Sequence, residues 1–205
     1  MTQARRLMFS SSPPRVECEE FDLPELRPNQ ILVRNACTHV SAGSESNFLR
    51  FGPQSYGLPE GAARANIGYM AVGRIVAMGG EVRGFSIGDR VTTGSPHASH
   101  AVIDVTPSAA IDPVPEGAGD EAAGFASLGD VALHGIRRSG LEIDRSVAIF
   151  GMGMVGQLAL LRVLSAGALP LLAIDRVPER LELAKQSGAT QVIDASRESV
   201  GPRVR

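Results

Sequence analysis

The stretch SVAIFGMGMVGQLALL, residues 146–161, constrains the fold of this 205-residue chain more than any other. Its apolar start, 146–150, reads as a strand, and residues 154–166 repeat apolar positions at helical spacing. Between them Gly151, Gly153 and Gly156 spell G-x-G-x-x-G. In that context Gly151 permits a tight turn, Gly153 lets the backbone approach a pyrophosphate, and Gly156 lets the helix lie close to the strand. The N–H groups of Met154, Val155 and Gly156 have no partner inside the first helical turn, so they are available to an anion.

A second strand at 171–175, a helix at 178–187 and a third strand at 191–193 complete a β-α-β-α-β run, the pattern of a doubly wound parallel sheet. Pro178 suits the first turn of its helix, Glu179 meets the positive end of the helix dipole, and Gly188 is placed to end it. Asp175 closes the second strand 22 positions after Gly153, where a carboxylate can accept hydrogen bonds from an adenosine ribose. That favours NAD over NADP, because a 2′-phosphate would meet a like charge. Arg176 pulls the other way, since a guanidinium beside the ribose can hold that phosphate, and NADP stays open. The plain alternative is a tight strand-to-helix joint in some other α/β protein.

The first half reads differently. Pro and Gly punctuate it, and short β-type runs at 31–34, 73–76, 89–92 and 101–105 predict a compact, mostly β domain. From 116 to 139 the chain turns rich in Ala and Leu at helical spacing, which sets the expected domains at 1–115 and 116–205. With 43% hydrophobic residues the chain can bury a real core. Its 20 basic and 22 acidic residues form no long run, so neither nucleic acid nor an anionic membrane is implied as a partner. No apolar stretch reaches about 18 residues, and the N-terminus lacks the apolar centre of a signal peptide. Two cysteines, Cys18 and Cys37, cannot build a disulfide framework or a four-cysteine zinc lobe. A cytoplasmic location is the expectation.

Three further stretches, FSIGDRVTTG (85–94), HASHAVIDV (97–105) and AIDPVPEGAGDEAAGFASLGDVALHGIRRSG (110–140), join AIDRVPERLELAKQSGATQVIDA (173–195) in one pattern. Together with the glycine turn they resemble the medium-chain dehydrogenase/reductase family, in which a GroES-like catalytic domain joins a Rossmann domain. The resemblance covers nearly the whole chain. It implies an NAD(P)-dependent oxidoreductase that moves hydride between nicotinamide and an alcohol, a carbonyl or an activated alkene of a small-molecule substrate.

Zinc-bearing members of that family carry a Cys-Gly-Ile-Cys-Gly-Thr/Ser-Asp type loop and a Gly-His-Glu motif. Here the loop reads Cys37-Thr38-His39-Val40-Ser41-Ala42-Gly43-Ser44-Glu45, with Ser41 or Ala42 at the ligand position, and Gly68-Tyr69-Met70 stands where Gly-His-Glu is expected. Serine and tyrosine are not usual zinc ligands, and a catalytic zinc needs about three protein ligands. No catalytic zinc is expected. Cys37 with His39 offers too few ligands, and His97 and His100 read as ordinary positions of the β domain.

Without zinc, a carbonyl must be polarised by hydroxyls or imidazoles. The resemblance makes Ser44 the match to the family's proton-relaying Thr/Ser and puts Tyr69 in place of the lost histidine; His39 is the nearest titratable group. Each has a bland alternative: helix capping for Ser44, packing for Tyr69, a surface position for His39. Glu45 matches an acidic position that orients the metal site in relatives, or merely starts a helix. Relatives run well past residue 205, so the parallel sheet is expected to lack its later strands. That leaves the strand at 147–150 with an apolar open edge, which a second copy or a complementing chain would cover. The second reading is therefore a shortened, non-catalytic nucleotide-binding or assembly module that needs a partner.

Overall fold

A computed structural model describes residues 3–11, 13–52, 64–142 and 145–204. The chain forms two compact units, residues 1–126 and 127–205. The first is built on two antiparallel sheets. Strands β1 (Gln3–Ser11), β2 (Pro14–Asp22) and β4 (Arg64–Asn66) form one, in the order β2-β1-β4. Strands β3 (Gln30–Thr38), β5 (Ala71–Met78), β6 (Arg90–Thr93), β7 (His100–Asp104) and β8 (Ile111–Pro113) form the other, in the order β7-β3-β5-β6-β8. Helix α1 (Ala42–Phe51) follows β3.

Alternation along the strands supplies the core. Ile31, Val33, Ile75, Val91 and Ile111 are buried together, whereas Val76, one residue from Ile75, is exposed. A second cluster gathers Phe9 of β1, Phe48 of α1, Ala65 and Ile67, with the two phenyl rings edge to face at 4.6 Å. Phe48 thus anchors α1, the helix that carries Ser44.

Two features go beyond what the sequence marked. The hairpin of β1 and β2 lies in a stretch that no β-type run in the sequence marked. The reason is that β2 alternates only between exposed and half-buried residues, with Glu17, Glu19 and Glu20 on it, so its period of two never rises to a clear apolar signal. The helical stretch at 116–139 is also not one helix. It divides into α2 (Asp120–Ala123) and α3 (Ala126–Arg138), separated by Gly124 and Phe125, where a glycine of low helix propensity meets a ring turned onto His39. Arg90 of β6 pairs with Asp120, which ties α2 to the first unit.

The second unit is parallel. Strands β9 (Val147–Phe150), β10 (Leu171–Asp175) and β11 (Gln191–Asp194) lie in the order β11-β10-β9. Helices α4 (Met154–Ser165) and α5 (Pro178–Gln186) supply Leu160, Val163, Leu181 and Ala184 to a core with Leu171 and Ala173 of β10. Leu172 and Ile174 turn to the other face, against Ile193 of β11. All five residues of β10 are buried, as a central parallel strand requires. Strand β9 pairs only with β10 among the described residues, and Phe150 at its end is 68% exposed.

Candidate functional site

The glycine turn joins β9 to α4. Gly151 has φ +89°, a left-handed backbone that side chains disfavour, and its N–H donates to the Ile174 carbonyl at 2.8 Å. A Cβ on Gly156 would sit 1.9 Å from the Gly151 carbonyl oxygen, so only glycine lets the helix come this close. At Gly153 a Cβ would meet no protein atom within 4 Å. The protein leaves that space open. Gly153 is the N-cap of α4, no side chain caps the helix, and its first turn holds no acidic residue. The positive end of the α4 dipole, with Met154, Val155 and Gly156 in its first turn, is therefore unneutralised by the chain.

Asp175 does more than end β10. Its Oδ1 accepts from the N–H groups of Arg176 at 2.7 Å and Val177 at 2.9 Å, which steadies the entry to α5, and its Oδ2 accepts from Met152 N–H in the glycine turn at 2.5 Å. Arg180 stands 3.7 Å from Oδ2. A carboxylate offers about four acceptor directions; three are taken by backbone, and the fourth faces Arg180. Burial acts to raise the pKa of Asp175, but the three N–H donors and Arg180 outweigh it and hold the carboxyl below its ordinary range. Arg176 is exposed beside it.

The first unit holds a separate polar cluster. Tyr69 donates its hydroxyl hydrogen to Ser41 Oγ at 2.7 Å, and Ser44 Oγ lies 3.4 Å from the same phenol oxygen. Ser41 is buried, and Ser44 and Tyr69 are half-buried. Glu45, buried at 7% exposure, accepts from Ser41 N–H at 2.7 Å and meets His97 Nε2 at 3.1 Å. The other ring nitrogen of His97 lies 2.8 Å from Thr38 Oγ1. The sequence singled out Ser44 and Tyr69, and the structure brings them together. Ser41, Thr38 and His97 join the cluster unforeseen.

His39 faces elsewhere. Its ring packs edge to face on Phe125 at 4.7 Å and against Gly124, and its Nδ1 is buried without a hydrogen-bond partner. Cys37 is half-buried on β3. Burial, then the carboxylates of Asp120 and Glu121, push its thiol up.

No protein-family model matches the chain. Individual proteins do. D-guloside 3-dehydrogenase of Shigella flexneri is 22% identical over 187 residues, which are 90% of this chain and 53% of that protein. L-threonine 3-dehydrogenase of Burkholderia mallei is 32% identical over 205 residues, 86% of this chain and 58% of that protein. The crystal structure of an alcohol dehydrogenase from Thermus sp. ATN1 superposes with a TM-score of 0.81 at 25% identity, over 98% of this chain and 66% of that one. The proteins it matches are members of the medium-chain dehydrogenase/reductase family, and the chain is similar to them over nearly its whole length. It spans a little over half the length of these curated relatives.

Some medium-chain dehydrogenases hold zinc, so the donor set matters. At the cluster the ligand-type side chains are Glu45 and His97, and they bind each other. Among the described residues no group of three or more His, Cys, Asp or Glu side chains is placed to hold a metal ion. This donor set does not fit a catalytic zinc. The glycine turn, by contrast, fits a dinucleotide: an open approach at Gly153, a helix end without an acidic neighbour, and a strand-end carboxylate.

Proposed function

We propose that the chain is a zinc-independent, NAD(P)-dependent oxidoreductase of the medium-chain dehydrogenase/reductase type, acting on a small alcohol, carbonyl or activated alkene. In this reading residues 1–115 form a GroES-like, catalytic-type domain and residues 116–205 part of a Rossmann domain. The observation that carries it is the glycine turn, where Gly151 and Gly156 are sterically required while the space beside Gly153 is left empty. The N–H groups of Met154, Val155 and Gly156 receive the pyrophosphate, and Asp175 and Arg176 border the ribose. With the remaining acceptor direction of Asp175 facing Arg180 at 3.7 Å and cationic Arg176 alongside, NAD is the assigned cofactor and NADP a competitor.

The bound nicotinamide supplies or takes the hydride. The Tyr69 hydroxyl turns its one hydrogen from Ser41 Oγ to the substrate oxygen, Ser41 and Ser44 then orient the phenol by donating to its oxygen, and His39, whose ring packs on Phe125, is the third proposed catalytic residue. Calorimetric titration with NAD(H) and NADP(H), paired with nicotinamide absorbance during turnover of a panel of alcohols and ketones, tests the proposal. Binding and turnover support it. An absence of heat with either nucleotide sinks it.

A second reading is favoured by β9. Its free edge and the exposed Phe150 suit a nucleotide-binding or assembly module that becomes complete on a second copy or a complementing chain. Nucleotide binding without turnover would favour it. A monomer that stays soluble in light scattering would remove the need for a partner. No helix among the described residues is long and apolar enough to cross a membrane, and the nearly balanced charge gives no footprint for nucleic acid. The cytoplasm, with both cysteines reduced, is the proposed location.

A further inference from the structure

Ser41 occupies the N-cap of α1, yet its side chain makes no capping bond. A serine there ordinarily stabilises a helix by about 1 kcal/mol through such a bond. Here the hydroxyl accepts from Tyr69 instead, and the loop is closed by Glu45, which reaches back to the Ser41 N–H at 2.7 Å. Ser41 is thus held from two sides.

Glu45 lies at 7% exposure, and a carboxylate is tolerated there only when its oxygens are satisfied. One oxygen takes the Ser41 N–H and the other takes His97 Nε2. With Glu45 as the acceptor, Nε2 is assigned the hydrogen, and Nδ1 faces the Thr38 hydroxyl. His97 is in turn pinned by its backbone: its N–H donates to Ile67 at 2.7 Å and its carbonyl accepts from Leu7 at 2.8 Å. Its ring lies against Gly68, where a Cβ would come within 2.7 Å of it, and Gly68 is bonded to Tyr69. The pair therefore touches both segments that set the phenol: residues 41–45 through hydrogen bonds and residues 68–69 through packing.

We infer that Glu45 and His97 form a positioning pair that fixes the Ser41–Tyr69 hydroxyl couple. The inference rests on the proposed role of Tyr69, but its geometry does not need turnover to be read. A pair that served packing alone could be exchanged for neutral groups of similar shape without moving the phenol; a positioning pair cannot.

The experiment is NMR on the full chain carrying 15N-histidine and 13Cζ-tyrosine. The chain has two tyrosines and four histidines, so Tyr56→Phe assigns Tyr69 and His97→Asn assigns His97. The wild-type protein is expected to show His97 as the Nε2–H tautomer. Glu45→Gln and His97→Asn are each expected to shift the Tyr69 Cζ resonance while circular dichroism stays native. An Nδ1–H tautomer overturns the inference, as does a Tyr69 resonance that stays fixed in both folded variants. Should either variant fail to fold, the wild-type tautomer still decides. Where turnover is found, Glu45→Gln is expected to lower kcat roughly tenfold or more with KM nearly unchanged. Absence of turnover in the wild type counts against the proposed function and leaves the spectroscopic result standing.

Discussion

The glycine turn and the polar cluster are organised on opposite principles. In the turn, the proposed binding is by backbone: N–H groups at a helix start, shaped by glycines whose missing side chains leave the space open. In the cluster it is done by side chains from four separate segments, at Thr38, Ser41 to Glu45, Tyr69 and His97, each holding the next. A backbone site is local in sequence and sensitive to volume. A side-chain site is dispersed and sensitive to single atoms. The difference teaches that substitutions at the two sites should fail in different ways.

The largest effect is expected at Gly156. Gly156→Ala forces a Cβ onto the Gly151 carbonyl, which should cost about 3 kcal/mol or more and lower the melting temperature sharply. Gly153→Ala has room, so its melting curve should stay near wild type while calorimetric nucleotide affinity falls. If both variants melt alike, the claim that one glycine serves packing and the other a ligand is broken.

Next comes Asp175. Asp175→Ala strands the N–H groups of Met152, Arg176 and Val177, two loops at once, and a loss of about 2–4 kcal/mol in denaturant unfolding is expected. The carboxyl is depressed in the folded protein, so the unfolded chain binds its proton first as pH falls. Its stabilisation is therefore full above the ordinary carboxylate range and lost as pH drops through the lowered folded value. Melting temperature against pH should decline in acid for the wild type, and less steeply for Asp175→Asn.

The cluster predicts smaller stability changes. Tyr69→Phe removes one hydroxyl and should cost about 1 kcal/mol of stability, yet reduce any hydride-transfer rate by roughly a hundredfold. Steady-state kinetics beside a thermal melt separates the two. Ser44→Ala loses only a 3.4 Å contact, so its stability should change by less than about 0.5 kcal/mol. A larger loss would mean that Ser44, not Ser41, is the phenol's main partner.

The same contrast explains what the sequence made legible. The turn, β10, α5 and Asp175 could all be read because spacing along one continuous segment encodes them. What spacing could not reveal was the full occupation of Asp175: Arg176 and Val177 donate from its own turn, but the third donor, Met152 N–H, reaches it only once β9 and β10 lie side by side. Ser44 and Tyr69 were found by likeness to a motif. Ser41 carried a readable sign, a helix-start serine four residues before Glu45, but the diversion of its hydroxyl depends on Tyr69 in another segment. His97 gave no local sign at all, since its partners lie 52 and 59 residues away. His39 was singled out as the titratable group nearest the loop in sequence, and its ring packs on Phe125, a contact that spacing along the chain could not show.

Phe150 holds its ring largely in water, and its peptide bond leads directly into Gly151, the left-handed residue that opens the turn. Any surface that shelters that ring grips the entrance to the proposed nucleotide seat. Linked equilibria are reciprocal, so if the sheltering surface tightens the hold on nucleotide, the nucleotide must recruit that surface by the same factor.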